Sequence, residues 1–434
     1  MTAVPPPEPR HHPERGTDTI VQSARVAAAT DALQARRDLS SLFDVVKDAH
    51  PAAGVDALAW ELGRRVGAQE VSLLLVDIEG RALVRLIGQA ERERSLDAPP
   101  GAPRIPLGDS AAADAIRQQQ VQVVDDGAGV HAYVPVSERG ETIGVLELRL
   151  PTAPSADVVS YLAAAAHALA YVVIADRRHT DVYEVSQRSR DLSLEAEIQR
   201  RLLPSAYSCQ GPEFALAGWQ IPASSAGGDT FDYIVGERCL SLSVTDAMGH
   251  GVAAAQLATL AVGSLRNSRR AGLGLVEQAE RASAALAEHA APDQFVTALL
   301  VDVDLATGAA EMVNAGHVRP LLVRGGRVTE VDMEPGMVLG VLPGLTYQAH
   351  RLQLAPGDRL VLMTDGMFER EAADAEVGEL LAHLTPMHQR EAAQALTRAV
   401  LEVSAGAVRD DATVMVLDWY GPQRPTSAPG HDVP

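Results

Sequence analysis

The run Ser243-Val244-Thr245-Asp246-Ala247-Met248-Gly249-His250-Gly251, continued by the helix-like stretch Val252 to Leu260, constrains this chain more than any other segment. An apolar strand delivers one carboxylate, and two glycines permit a sharp turn. A helix N-terminus then points its unpaired N–H groups back at that turn. Such geometry suits a metal beside a phosphate. Alone the motif is weak, because Asp followed by small residues is usually an ordinary turn. Three similar acidic turns give it weight.

Thr230 to Val235 reads as a strand, Gly236-Glu237-Arg238 as a turn, and Cys239 to Thr245 as the antiparallel partner. In a hairpin the start of the first strand lies beside the end of the second, so Asp229 and Asp246 meet at one sheet end. Asp232 alternates along the same strand and can face either side. Downstream, Pro356-Gly357-Asp358 turns into an apolar strand that ends at Asp365-Gly366, and Arg409-Asp410-Asp411 precedes the strand Thr413 to Leu417. If these two strands are antiparallel neighbours, Asp365 converges with Asp410 or Asp411. Carboxylates so close repel one another, and a divalent cation resolves the conflict. An all-oxygen donor set selects Mg²⁺ or Mn²⁺ over Zn²⁺. A two-ion site, with ions about 3.5–4 Å apart, acidifies a shared water and clamps an in-line phosphoryl displacement.

The 434 residues suffice for two domains with real cores. Acidic residues outnumber basic ones 57 to 37, for a net charge of -20, which argues against a phosphate-backbone binder and for protein or small-molecule partners. The two cysteines, Cys209 and Cys239, provide neither a disulfide framework nor a thiolate metal site, so a reducing, cytoplasmic setting is expected. The N-terminus lacks the charged and apolar regions of a secretory signal. Val158 to Ala175 is uncharged and near spanning length, but its alanines favour a buried or dimer-forming helix over a membrane span.

Residues 1–18 and 421–434 read as disordered, and residues 19–49 as an N-terminal helix. Between residues 50 and 176 the pattern is mixed. Helices are expected at Val55 to Val66 and Asp109 to Gln120. Strands are expected at Val71 to Val76, Ala82 to Ile87 and Val121 to Val124, followed by a hairpin of Tyr133-Val134-Pro135-Val136 with Thr142 to Leu150. On Val134-Pro135-Val136 and Gly140-Glu141-Thr142-Ile143-Gly144-Val145-Leu146, this region resembles a GAF domain, an α/β sensory module that also serves for dimerisation. Asp157 to Leu203 reads as one nearly continuous helix closed by Pro204, with residues 177–204 as a helical linker and switch.

The second half resembles the SpoIIE/RsbU branch of the PPM metal-dependent protein phosphatases. The resemblance rests on Ala226-Gly227-Gly228-Asp229-Thr230-Phe231-Asp232, Thr245 to Gly251, Asn314-Ala315-Gly316-His317, Met363-Thr364-Asp365-Gly366-Met367-Phe368-Glu369 and Asp410-Asp411-Ala412-Thr413. Thr230 departs from the family's usual aromatic, and Ala247 stands for a more frequent Gly or Val. The resemblance implies an α+β protein whose residues 205–420 form an αββα sandwich of two antiparallel sheets. Two Mn²⁺ or Mg²⁺ ions would be held by Asp229, Asp246, the Ala247 carbonyl, Asp365 and Asp410, with Asp411 as the alternative to Asp410. Asn314 to His317 would shape a turn beside the site, with His317 as a less favoured general acid. The implied substrate is a phosphorylated STAS-domain anti-anti-sigma protein, and a homodimer through the GAF-like domain and linker helix would provide control. No nucleic-acid or membrane partner is expected. The rival readings are a pseudophosphatase scaffold, a ligand-binding sensor without turnover, and a hydrolase of small phosphate esters.

Overall fold

The computed structural model describes residues 39–86, 104–127, 129–188, 192–222, 227–291, 293–368, 373–403 and 410–422. The expected disordered segment 1–18 and, of the expected disordered tail 421–434, residues 423–434 lie outside these residues, as does most of the expected N-terminal helix, of which α1 (39–47) is described. The chain divides near residue 188 into two compact units.

The first unit contains α2 (Gly54–Val66), β1 (Glu70–Val76), β2 (Ala82–Arg85), β3 (Arg104–Pro106), α3 (Ala111–Gln118), β4 (Gln122–Asp125), β5 (Val130–Glu138), β6 (Glu141–Leu150), α4 (Ala156–Asp176) and α5 (Val182–Gln187). Its strands form one sheet in the order β3-β2-β1-β6-β5-β4. Strand β5 shows why the chain settles there: Val130, Ala132, Val134 and Val136 are buried and alternate with more exposed residues, the period that one half-buried sheet face requires. These side chains pack with Leu58 and Leu62 of α2 and with Leu162, Leu169 and Val173 of α4. Helix α3 packs on the other face, where Ile116 meets Leu74, Leu83 and Val145. Its start is fixed by Ser110, whose Oγ accepts from the Ala113 N–H at 3.2 Å. Helix α4 is long and apolar enough to cross a membrane by length and composition, yet one of its faces belongs to this core.

The continuous helix expected from Asp157 to Leu203 is not formed. Among the described residues three helices stand in its place: α4, α5 and α6 (Leu194–Leu202). Thr180 breaks the first junction, its Oγ1 accepting from the Val182 N–H at 3.3 Å. Ser193 starts α6 afresh by accepting from the Ala196 N–H at 3.4 Å. Short hydroxyl side chains compete for backbone donors in this way, and apolar periodicity alone does not reveal it.

The second unit is an all-antiparallel sandwich. One sheet has the order β15-β12-β11-β10-β9 and the other β14-β13-β16-β17-β8-β7, with β7 (Ser208–Gln210), β8 (Phe214–Ile221), β9 (Thr230–Val235), β10 (Cys239–Ala247), β11 (Val296–Asp304), β12 (Ala309–Ala315), β13 (Leu321–Arg324), β14 (Arg327–Glu330), β15 (His350–Gln353), β16 (Asp358–Met363) and β17 (Ala412–Trp419). Between the sheets lie Phe214, Phe231, Leu242, Val244, Leu299, Leu362 and Trp419 among others. Each such side chain, fully buried, contributes about 1.5–3 kcal/mol. Helices α7 (Gly251–Arg270) and α8 (Leu275–His289) cover the first sheet. Helices α9 (Ala373–His383) and α10 (Gln389–Val403) are the counterparts on the second. The expected αββα layering of two antiparallel sheets is therefore present, whereas a single meander expected over residues 294–331 is not: β11 and β12 lie in the first sheet and β13 and β14 in the second.

Candidate functional site

Register brings the acidic turns together. Thr230 at the start of β9 faces Thr245 near the end of β10, so Asp229 and Asp246 are neighbours, as hairpin geometry requires. Met363 at the end of β16 faces Val414 near the start of β17, which sets Asp365 in the turn Asp365–Met367 beside Asp410 and Asp411. Both ends open on the same edge of the sandwich: the Thr364 hydroxyl, on the second sheet, donates to Asp229 Oδ2, on the first, at 2.6 Å.

Two glycines allow this closeness. A Cβ on Gly228 would lie 2.2 Å from the Ala247 carbonyl oxygen, and one on Gly366 would lie 2.0 Å from the Asp411 carbonyl oxygen. Gly249 and Gly251 adopt φ of +94° and +76°, the left-handed region that glycine enters without a Cβ penalty. They aim the N-terminus of α7 at the turn, where His250 provides no side-chain cap.

Asp229 is buried, and its backbone carbonyl accepts from Gln199 Nε2 at 2.8 Å and from Gln220 Nε2 at 2.9 Å. Burial, then the charges of Asp246 and Asp411, push its carboxyl well above the ordinary range. Asp246 is pushed up to about 7 by burial and by Asp365 and Asp410, while a hydrogen bond with Asp229 pulls the other way. Asp365 is raised by burial and by Asp410. Asp410 thus bears on Asp246 and Asp365. Asp411 is occupied differently: the Gly227 N–H donates to both its oxygens at 3.1 Å, and Gln199 Nε2 donates to Oδ2. Among the described residues no three His, Cys, Asp or Glu side chains close into a ready ligand group.

His317 lies beside this edge. Its Nδ1 is 2.7 Å from Thr297 Oγ1, and Thr297 faces Asp246 across the β10/β11 pair. Asn314 clamps the turn, accepting from the His317 N–H at 2.7 Å and donating to its carbonyl at 2.9 Å. Burial holds the imidazole down to about 4, so it is neutral near pH 7 and suits a turn anchor better than an acid. Asp232 is not part of the site. It faces α7 and takes a two-point bond from Arg266, at 3.0 Å each, with Arg269 at 3.1 Å.

Sequence reasoning found the acidic residues and missed the amides and hydroxyls that hold them: Gln199, Gln220 and Thr364. No local pattern marks these residues, since each acts on a partner from another element.

Residues 236–420 match the family model described as Stage II sporulation protein E (SpoIIE). Phosphoserine phosphatase RsbU of Bacillus subtilis (strain 168) is 20% identical over 251 residues, 56% of this chain and 75% of RsbU. Stage II sporulation protein E of the same organism is 23% identical over 195 residues, 44% of this chain and 24% of that protein, so the chain spans about a quarter of that relative's length. Among solved structures, the RsbU and RsbW domains of a Mycobacterium tuberculosis protein align at 28% identity with a TM-score of 0.43, covering 49% of this chain and 62% of that one.

Proposed function

We propose, for a chain whose residues 236–420 are a SpoIIE-type phosphatase domain, that it is a divalent-metal-dependent serine/threonine phosphoprotein phosphatase. One observation carries the reading: acidic residues from both sheets converge on one edge, where burial and like charge leave Asp229 and Asp246 reluctant to ionise. A cation relieves that conflict, and the donors are all oxygens of the kind Mn²⁺ and Mg²⁺ prefer. The residues to hold two such ions are Asp229, Asp246, the Ala247 carbonyl, Asp365 and Asp410. Asp411, already engaged by Gly227 and Gln199, serves as a support. When bound, the ions supply Lewis acidity that acidifies water and offsets phosphate charge.

The remaining work falls to the protein. The N-terminus of α7 draws in the phosphate through its unpaired N–H groups. Gly249 and Gly251 keep that approach free of side chains. The sandwich edge holds the carboxylates in place before substrate arrives, so little reorganisation is left for the reaction itself.

For the substrate, the reading is a phosphorylated STAS-domain anti-anti-sigma protein in a partner-switching pathway, in keeping with a relative named phosphoserine phosphatase RsbU. The first unit is read as a GAF-like sensory domain in a cytoplasmic homodimer, with α6 as the element through which control reaches the site. A non-catalytic scaffold is the alternative reading. The deciding experiment is Mn²⁺-dependent phosphate release from p-nitrophenyl phosphate by the full chain beside Asp246→Asn and Asp365→Asn. Turnover lost in both variants supports the phosphatase. Mn²⁺ binding without turnover supports the scaffold.

A further inference from the structure

Thr364 precedes the turn Asp365–Met367 at the position where a threonine ordinarily caps a helix with its own hydroxyl, yet it makes no such bond. Its side chain is fully buried. The hydroxyl is spent elsewhere: Oγ1 accepts from the Thr413 N–H at 3.0 Å and donates to Asp229 Oδ2 at 2.6 Å. A hydroxyl carries one proton. With the Thr413 N–H pointing at the oxygen, that proton has one direction left, toward Asp229. The Thr364 N–H donates to the Thr413 carbonyl at 3.0 Å, so the backbones of β16 and β17 fix the hydroxyl from both sides.

Oδ2 of Asp229 is therefore taken by a fixed donor, and the same carboxylate also meets the Thr413 side chain and Asp246, the neighbour with which it would share an entering cation. The backbone on either side is held as well, because the Asp229 carbonyl accepts from both Gln199 and Gln220. A carboxylate fixed at one oxygen presents a single lone-pair direction, which suits a one-oxygen ligand and disfavours a chelating one. The unused cap is the sign that the threonine serves the site and not the turn.

We infer that Thr364 is a positioning residue that holds Asp229 Oδ2 through its hydroxyl, so that Asp229 offers a divalent cation one oxygen in a fixed direction. This rests on the metal-dependent reading above. Groups that orient metal ligands in this way typically change affinity by about 10–100-fold when removed.

The test is Mn²⁺ binding to the full chain by isothermal titration calorimetry, comparing wild type with Thr364→Val, which keeps the shape and removes the hydroxyl, and Thr364→Ser, which keeps the hydroxyl. The expected result is a loss of about 10-fold or more in affinity for Val and a Ser value within about threefold of wild type. Far-ultraviolet circular dichroism of the metal-free proteins checks that both variants fold. Should Val disrupt the strand end, Thr364→Ala removes the same hydroxyl without a branched side chain and is read the same way. Val or Ala binding Mn²⁺ as wild type does would overturn the inference alone, as would a Ser variant as weak as Val. Wild type that binds no Mn²⁺ would overturn the metal reading and the inference with it.

Discussion

Gln199 of α6 and Asp411 at the head of β17, 212 residues apart in sequence, are joined by a buried hydrogen bond from the amide to the carboxylate. The same amide nitrogen donates to the Asp229 carbonyl at 2.8 Å. One side chain on the first helix of the second unit therefore touches the supports of both acidic turns. Replacing it with Met, of similar length and unable to donate, removes one donor from each acceptor, while Gln220 still serves the Asp229 carbonyl and the Gly227 N–H still serves Asp411. Each lost hydrogen bond costs about 0.5–1.5 kcal/mol. Gln199→Met is expected to lower the denaturant midpoint and to weaken Mn²⁺ binding, checked by urea unfolding and calorimetry. Unchanged binding would show that α6 does not hold the site.

The raised carboxyl of Asp246 makes metal-free stability depend on pH. Its folded value, about 7, exceeds its ordinary value of 3.8, so the folded state binds the proton more tightly than the unfolded one. The stabilisation is fully present below about pH 4 and is lost as pH rises through about 7. His317 works oppositely: held down to about 4 from 6.5, it supports folding above about 6.5 and withdraws that support as pH falls through about 4. A single melting curve would mix the two. Asp246→Asn isolates the first effect. In chelator, the variant is expected to gain about 2 kcal/mol over wild type at pH 8, with the gain shrinking toward pH 5. A gain equal at both values would show that Asp246 is not strained by its neighbours.

The same proton competes with the cation. Mn²⁺ must displace it from Asp246 below about pH 7. Wild-type affinity is expected to fall about fivefold over the first pH unit below that value and to approach about tenfold per unit further down, read by calorimetry in two buffers of different ionisation heat. Proton release that is the same at pH 6 and pH 8 would rule this out.

Local pattern was enough to place the acidic residues. A strand, a turn and a second strand in order force Asp229 beside Asp246, and the same reasoning brings Asp365 to Asp410 and Asp411. Asp410 and Asp411 are adjacent and share every sequence cue; the difference between them, that Gly227 and Gln199 donate to Asp411, comes from residues far away in the chain. The break between α4 and α6 was hidden because Thr180 and Ser193 act through single hydroxyl bonds that leave no periodic trace. Asp232 could face either way from alternation. Arg266, 34 residues downstream, decides it.

That ion pair is itself testable. Arg266 makes a two-point bond to Asp232, whose side chain is 7% exposed, and also donates to the Leu202 carbonyl at the end of α6. Removing one partner of a buried pair leaves the other charge uncompensated and costs about 3–5 kcal/mol; Arg269, also on Asp232, reduces that to about 2 kcal/mol. Arg266→Met is expected to destabilise by that amount in urea, and Asp232→Asn in the same background to recover part of it. Since Asp232 stands away from the carboxylate edge, Mn²⁺ affinity of the still-folded variant should stay within about threefold of wild type.

Gly228 tests the backbone geometry of the site without touching a carboxylate. A methyl there would sit 2.2 Å from the Ala247 carbonyl oxygen and 2.6 Å from its Cβ, contacts that no rotamer change can relieve because a backbone atom is on the other side. Either the Gly228 turn or the end of β10 must move, and both carry ligands of the proposed site, Asp229 on one side and Asp246 with the Ala247 carbonyl on the other. Gly228→Ala is therefore expected to abolish measurable Mn²⁺ binding while leaving the sandwich core, which lies between Phe231 and Val244 and beyond, folded by circular dichroism. A control at Gly263, where a Cβ meets nothing within 4 Å, should bind as wild type. Equal binding by the Gly228 and Gly263 variants would mean that the Ala247 carbonyl and its strand end take no part in holding the metal.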